Sequence, residues 1–153
     1  MTKYAIYYFP FPSCDCTWYN DEKCIRQEAI PIADVLGLGL DLCEIKRIER
    51  SIEQEHFFKR IFTQGEQARI NDRGAQTAAG YFAAKEAVAK ALGTGFDGFF
   101  MDSVEVVPDA LGKPECVLYG KAHTRMMEMG ATHIMISITH DAGVAAAVAI
   151  VMG

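Results

Sequence analysis

The run Ala33 to Asp41 (ADVLGLGLD) alternates large apolar residues with glycine and ends on a carboxylate. That pattern predicts a buried strand, with glycines where another backbone comes close. From Glu44 to about Phe57, Ile45, Ile48 and Ile52 recur at helical spacing among charged residues, which predicts an amphipathic helix. Thr63 stands three residues before Glu66, a capping-box spacing that opens a helix reaching about Asp72. An alanine-rich helix follows from Ala75 to Leu92, stopped by Gly93.

Beyond it, Ser103 to Val107 and Glu115 to Tyr119 flank the turn chemistry of Asp109 to Pro114 and predict a hairpin. Gly120 to Met129 reads as a helix closed by Gly130, and Thr132 to Thr139 and Gly143 to Met152 as two strands around a turn at His140 to Gly143. Helices in one block and strands mostly in another predict a single α+β domain from residue 35 to 153. Residues 1–34 carry no sustained period and are rich in Tyr, Phe, Pro, Cys and acids, so they read as an N-terminal extension.

The alanine helix carries the first chemistry. At about 100° per residue, Ala84, Ala87, Val88 and Ala91 form one small-residue side suited to close packing. Glu86 and Lys90 share the opposite strip with Phe82, Ala83 and Ala89, while Lys85 points elsewhere, beside Leu92. Two readings stand at this point. Glu86 and Lys90 form an exposed i,i+4 ion pair contributing about 0.2–0.5 kcal/mol. Alternatively, Glu86 converges with Asp41 on a magnesium ion, which takes carboxylate, water and phosphate oxygens, and Lys90 meets a phosphate. The Gly93-Thr94-Gly95 loop then lets backbone approach the ligand.

Composition narrows the setting. Half of the 153 residues are hydrophobic and 23% are charged, the balance of a globular protein. No apolar run reaches the roughly 18–20 residues needed to span a bilayer, so no membrane role is expected. A net charge of −5 argues against general nucleic-acid binding. Charge is uneven, however: Lys46, Arg47, Arg50, Lys59 and Arg60 sit among Glu44, Glu49, Glu53 and Glu55, either as a solvated helix or as a docking face for an acidic partner. Cys14, Cys16 and Cys24 cluster near the N-terminus without the second ligand pair of a zinc site. Reduced thiols and the lack of a signal-peptide pattern at the N-terminus predict a cytoplasmic location.

Five ordered blocks then carry a resemblance: GLGLDLCEIKRIE at 37–49, FFKRIFTQGE at 57–66, GYFAAKEAVAKALGTGF at 80–96, LGKP at 111–114 and ISITH at 136–140. In this order they resemble the holo-[acyl-carrier-protein] synthases, the small bacterial 4′-phosphopantetheinyl transferases. The resemblance implies that family's α+β fold, with helices packed on a mainly antiparallel sheet. It also implies Mg²⁺-dependent transfer of 4′-phosphopantetheine from coenzyme A to a serine of an apo acyl carrier protein, leaving adenosine 3′,5′-bisphosphate. Asp41 and Glu86 match the metal ligands and Lys90 a lysine near the phosphates; all three are implied as catalytic. Lys90, Gly93, Gly95 and His140 are implied to line the coenzyme A site, with Glu44 as a lesser, water-positioning candidate.

Arg47, with Lys46 and Arg50 beside it, matches the residues that dock the acidic carrier protein. Glu53 and His56 depart from the pattern, standing where relatives often carry arginines. The family assembles as a homotrimer with active sites at subunit interfaces, and it offers no counterpart to residues 1–34. The alternative reading is a non-catalytic module binding coenzyme A or the carrier protein; the presence of both carboxylates favours the enzyme.

Overall fold

The computed structural model describes residues 34–153, and the expected extension and its cysteine cluster lie outside them. Two antiparallel sheets and five helices make up the described chain. Strand β1 (Val35–Glu44) leads into helices α1 (Ile45–Ile52), α2 (Glu55–Ile61), α3 (Gln64–Arg73) and α4 (Ala75–Ala91). A 3₁₀ turn at Met101–Ser103 precedes the hairpin of β2 (Val104–Pro108) and β3 (Pro114–Leu118). Helix α5 (Gly120–Glu128) and strands β4 (His133–Asp141) and β5 (Val144–Met152) complete it. The larger sheet has the order β1-β5-β4.

Alternation along that sheet decides where α4 lies. Gly37, Gly39, Asp41 and Cys43 fall on one face of β1, and the register places Gly39, Asp41 and Cys43 opposite Ala149, Ala147 and Ala145 of β5. Small residues on both sides bring helix and sheet together. A methyl group on Gly39 would sit 1.9 Å from the carbonyl oxygen of Ala87, and one on Gly37 2.0 Å from that of Ala91. Ala87 and Ala91, from the small-residue side that the wheel predicts, therefore rest on β1 at a distance only glycine permits. Ala79, outside that predicted set, meets β1 as well, its carbonyl accepting from the Cys43 thiol.

The capping box at Thr63 is formed in both directions, Thr63 accepting from the Glu66 amide and Glu66 from the Thr63 amide. Elsewhere the boundaries shift. Strand β1 runs three residues past Asp41, to Glu44. The helix expected from Glu44 to Phe57 is two helices, broken at Glu53 and Gln54, where Gln54 turns extended (φ −85°, ψ 107°). The reason lies in the phase of the apolar positions. A continuous helix would put Phe57, Phe58 and Ile61 nearly opposite Ile45, Ile48 and Ile52. The break turns them inward, where Phe57 stacks on Phe82 with ring centroids 6.4 Å apart. The last turn is tighter than expected as well. Asp141 pairs with Val144, leaving Ala142 and Gly143 as a two-residue loop with both φ positive (48° and 80°), and His140 belongs to the strand.

Candidate active site

Asp41 projects from β1 toward α4, and Lys90, on the last turn of α4, reaches it. The Lys90 ammonium lies 2.7 Å from Asp41 Oδ1 and donates to the Leu40 carbonyl at 2.9 Å. The i,i+4 pairing of Lys90 with Glu86 expected from helical spacing is therefore replaced by a clamp between helix and strand. Asp41 is only 16% exposed beside the helix, and the Leu40 carbonyl next to it supplies Lys90 with a second acceptor that the Glu86 side does not show.

Glu86 remains on the same flank, half-buried, with no hydrogen bond or ion pair to any described residue. Burial pushes its carboxyl above the usual range, and the nearby Asp41 charge adds to this, against the opposing pull of Lys90 and Arg47. Glu86 is thus a carboxylate whose ionisation is opposed by burial and by a neighbouring carboxylate more than two nearby cations offset. Below it, α4 ends at Leu92, and Gly93 (φ 79°) and Gly95 (φ 58°) turn the chain away. The Gly95 amide is held by the Ala89 carbonyl at 3.2 Å. The loop thus stays against the end of the helix that bears Glu86 and Lys90.

His140 is not part of this cluster. Its imidazole Nε2 lies 3.1 Å from the Gln76 carbonyl and close to Gly80, where a methyl group would come within 2.8 Å of it. It lines a separate cleft of about 220 Å³, with Arg73, Thr77, Tyr81, Gly112 and Pro114 among the walls. On one chain, then, the Asp41 and Glu86 carboxylates and His140 occupy different sites. Of that second cleft, the sequence reading singled out His140 and the LGKP block; Arg73, Thr77 and Tyr81 escaped it, because an exposed arginine at a helix end carries no distinguishing pattern.

Lys46, Arg47 and Arg50 are all exposed on α1. Arg47 leans over the Phe82 ring, 5.8 Å from its centroid, and so borders the Glu86 flank. The basic residues and the carboxylate site are continuous.

Comparison with known proteins decides what this arrangement belongs to. The profile of the 4′-phosphopantetheinyl transferase superfamily matches residues 37–149. The chain belongs to that superfamily. Among curated members, a holo-[acyl-carrier-protein] synthase of Solidesulfovibrio magneticus is 42% identical over 122 residues, covering 78% of this chain and 99% of its own length. Two solved structures share the fold. The Helicobacter pylori holo-[acyl-carrier-protein] synthase in complex with coenzyme A superposes with a TM-score of 0.67 at 29% identity, covering 74% of this chain and 98% of that one. The Bacillus anthracis holo-(acyl-carrier-protein) synthase in complex with CoA (3′,5′-ADP) gives 0.65 at 30% identity, covering 78% and 97%.

The residues present in this superfamily member fit a hard divalent cation. Asp41 and Glu86 offer oxygen donors from two elements on one flank, and Glu86 has no hydrogen-bond or ion-pair partner among the described residues, so its oxygens are free to take such a cation. Among the described residues no cluster of three His, Cys, Asp or Glu side chains forms, so a cation held by Asp41 and Glu86 would draw its other donors from water or phosphate. Lys85, the neighbour of Glu86, is a different matter. It is fully buried against an equally buried Glu66, a partnership that sequence spacing gave no means of seeing.

Proposed function

We propose that this chain is a holo-[acyl-carrier-protein] synthase, a transferase moving 4′-phosphopantetheine from coenzyme A to a serine of an apo acyl carrier protein. The observation that carries the reading is the flank where Asp41, Glu86 and Lys90 meet, on a chain that matches such synthases along most of its length. We further propose that residues 35–153 form the transferase domain and that the reaction depends on Mg²⁺. The cation, held by Asp41 and Glu86, would supply charge neutralisation to the pyrophosphate oxygens.

The chain's own residues set the rest of the chemistry. The serine hydroxyl loses its proton to solvent as its oxygen attacks the phosphorus that bears pantetheine, the bond from that phosphorus to the bridging oxygen breaks, and adenosine 3′,5′-bisphosphate leaves. Lys90, 49% exposed and only lightly held by Asp41, exchanges that partner for a phosphate oxygen and stabilises the charge gained by the leaving group. Gly93 and Gly95, having no side chains, leave room for the pantetheine phosphate beside the end of α4. Lys46, Arg47 and Arg50 steer the acidic carrier protein to α1, so that its serine arrives at the Glu86 flank.

His140 and its cleft then take the nucleotide end of coenzyme A from the neighbouring subunit, in a homotrimer with active sites between subunits. Two features support this assembly. The carboxylate flank and the His140 cleft are separate on one chain, and the sheet face turned away from α4 exposes Leu36, Leu38, Leu40, Leu42 and Met135. Among the described residues no helix is long and apolar enough to cross a membrane; the reading places the enzyme in the cytoplasm, in fatty acid biosynthesis. A single assay tests it. Incubation with coenzyme A, Mg²⁺ and an apo acyl carrier protein should add the phosphopantetheine mass to the carrier, and no addition with several carriers would leave the binding-module reading in its place.

A further inference from the structure

Lys85 and Glu66 are both 0% exposed, and their charged ends lie 2.8 Å apart. The Lys85 ammonium also donates to the carbonyls of Met101, at 3.0 Å, and Val104, so its three protons meet three acceptors. Glu66 receives the Thr63 amide on Oε2 and the Val106 amide on Oε1, each at 2.8 Å. One side chain of α4 is thereby tied to the start of α3, to the 3₁₀ turn and to β2.

Stability alone does not account for such a pair, because apolar residues of equal volume commonly serve as well or better in a core. The surroundings of α4 suggest what apolar residues would not supply. The helix meets β1 through Ala87 and Ala91 against Gly37 and Gly39 and through Ala79 against Cys43, and it packs on β5, whose facing residues are alanines. Such a surface allows close approach but has low ridges to resist rotation of the helix about its axis. Glu86 follows Lys85 directly, and any turn of α4 would carry Glu86 and Lys90 away from Asp41.

We propose that the Lys85–Glu66 pair fixes the rotation of α4 and so positions Glu86 and Lys90 against Asp41. Both are positioning residues, and the proposal rests on the reading of Asp41 and Glu86 as the cation-holding pair. The test replaces the two charges together, Glu66→Gln with Lys85→Met, preserving volume and an acceptor for the Val106 amide. The readouts are Mn²⁺ affinity by electron paramagnetic resonance in the presence of coenzyme A, kcat, the KM for apo carrier protein, and the melting temperature.

The variant should fold and keep its carrier KM, because α1 is untouched, while Mn²⁺ affinity falls by about tenfold or more and kcat falls with it. Unchanged Mn²⁺ affinity in the folded variant overturns the proposal, and so does a kcat loss without an affinity loss, which marks a structural role only. If the double variant does not fold, Glu66→Gln alone is judged by the same criterion. Wild-type protein that binds Mn²⁺ no better than Asp41→Asn would sink the cation-holding reading instead. In that case a crystal structure of the variant decides the present proposal, and α4 found in its original rotation refutes it.

Discussion

Lys90 and Asp41, 49 positions apart in the chain, are joined by a 2.7 Å contact that closes α4 against β1. Because Lys90 is 49% exposed, solvent screens this pair, and it contributes no more than about 1 kcal/mol to stability. On the proposed function, its larger role is to keep an ammonium where phosphate would arrive. Lys90→Ala should therefore leave the urea midpoint nearly unchanged while lowering kcat by about 10²-fold or more. Denaturation and steady-state kinetics on the same preparation check both halves; a large stability loss with retained turnover would make Lys90 a structural clamp only.

Glu86 yields a prediction with a definite sign. Its carboxyl titrates above the ordinary carboxylate value of about 4.5, first because of burial and then because of Asp41. Between that value and the raised native one, the folded state binds the proton and the unfolded state has lost it, so stability falls as pH rises through the window. Glu86→Gln removes the penalty. In metal-free buffer the variant should match wild type below the ordinary carboxylate range and exceed it increasingly as pH rises through the window, as read from urea midpoints. A less stable variant near neutrality would mean that Glu86 has a stabilising partner.

How far the site was legible follows from where its information lies. Periodicity is local, so it placed Asp41 on a strand and Glu86 with Lys90 on one strip of a helix, and it found the Thr63 capping box. Partner choice is not local. Lys90 pairs with Asp41 instead of Glu86, and Lys85 with Glu66, because tertiary packing decides which carboxylate most lacks a cation. The break at Glu53 and Gln54 was visible in principle, as a phase jump between Ile52 and Phe57. The separation of His140 from the carboxylates appeared only with the sheet, since it depends on which side of α4 each strand lies.

The seam between β1 and α4 should tolerate no side chain. A methyl group on Gly39 would lie 1.9 Å from the Ala87 carbonyl oxygen and 2.7 Å from the Ala91 amide nitrogen, both backbone atoms that cannot swing aside. Gly39→Ala should destabilise the fold by about 3 kcal/mol or more, the upper range of overpacking effects. Thermal denaturation measures it, and a shift of only a degree or two would show that helix and strand separate easily.

Arg47 tests the docking face. Arg47→Glu reverses a charge on α1 that borders the carboxylate flank through Phe82. The KM for the acidic carrier protein should rise by about tenfold, with salt sensitivity reduced, while coenzyme A affinity stays constant. Titrating each substrate separately distinguishes this from a general loss of activity, in which both would change.

The outer face of the large sheet offers the last prediction. Leu38, Leu40 and Leu42 are each 66% exposed on β1, and Met135 on β4 is 46% exposed. A contiguous apolar row of this kind on a folded chain marks an interaction surface. It lies on the opposite face of the strand from Asp41, so a change there need not touch the carboxylates directly. Leu40→Asp places a charge in the middle of the row, where its burial between subunits would be strongly unfavourable. Wild-type protein should sediment as a trimer and the variant as a monomer with an unchanged circular dichroism spectrum. If the active sites are completed between subunits, the monomer should also lose coenzyme A affinity, although every residue of its own Asp41 flank and His140 cleft is intact. A fully active monomer would put the whole site on one chain, and the separation of His140 from Asp41 would then need another explanation.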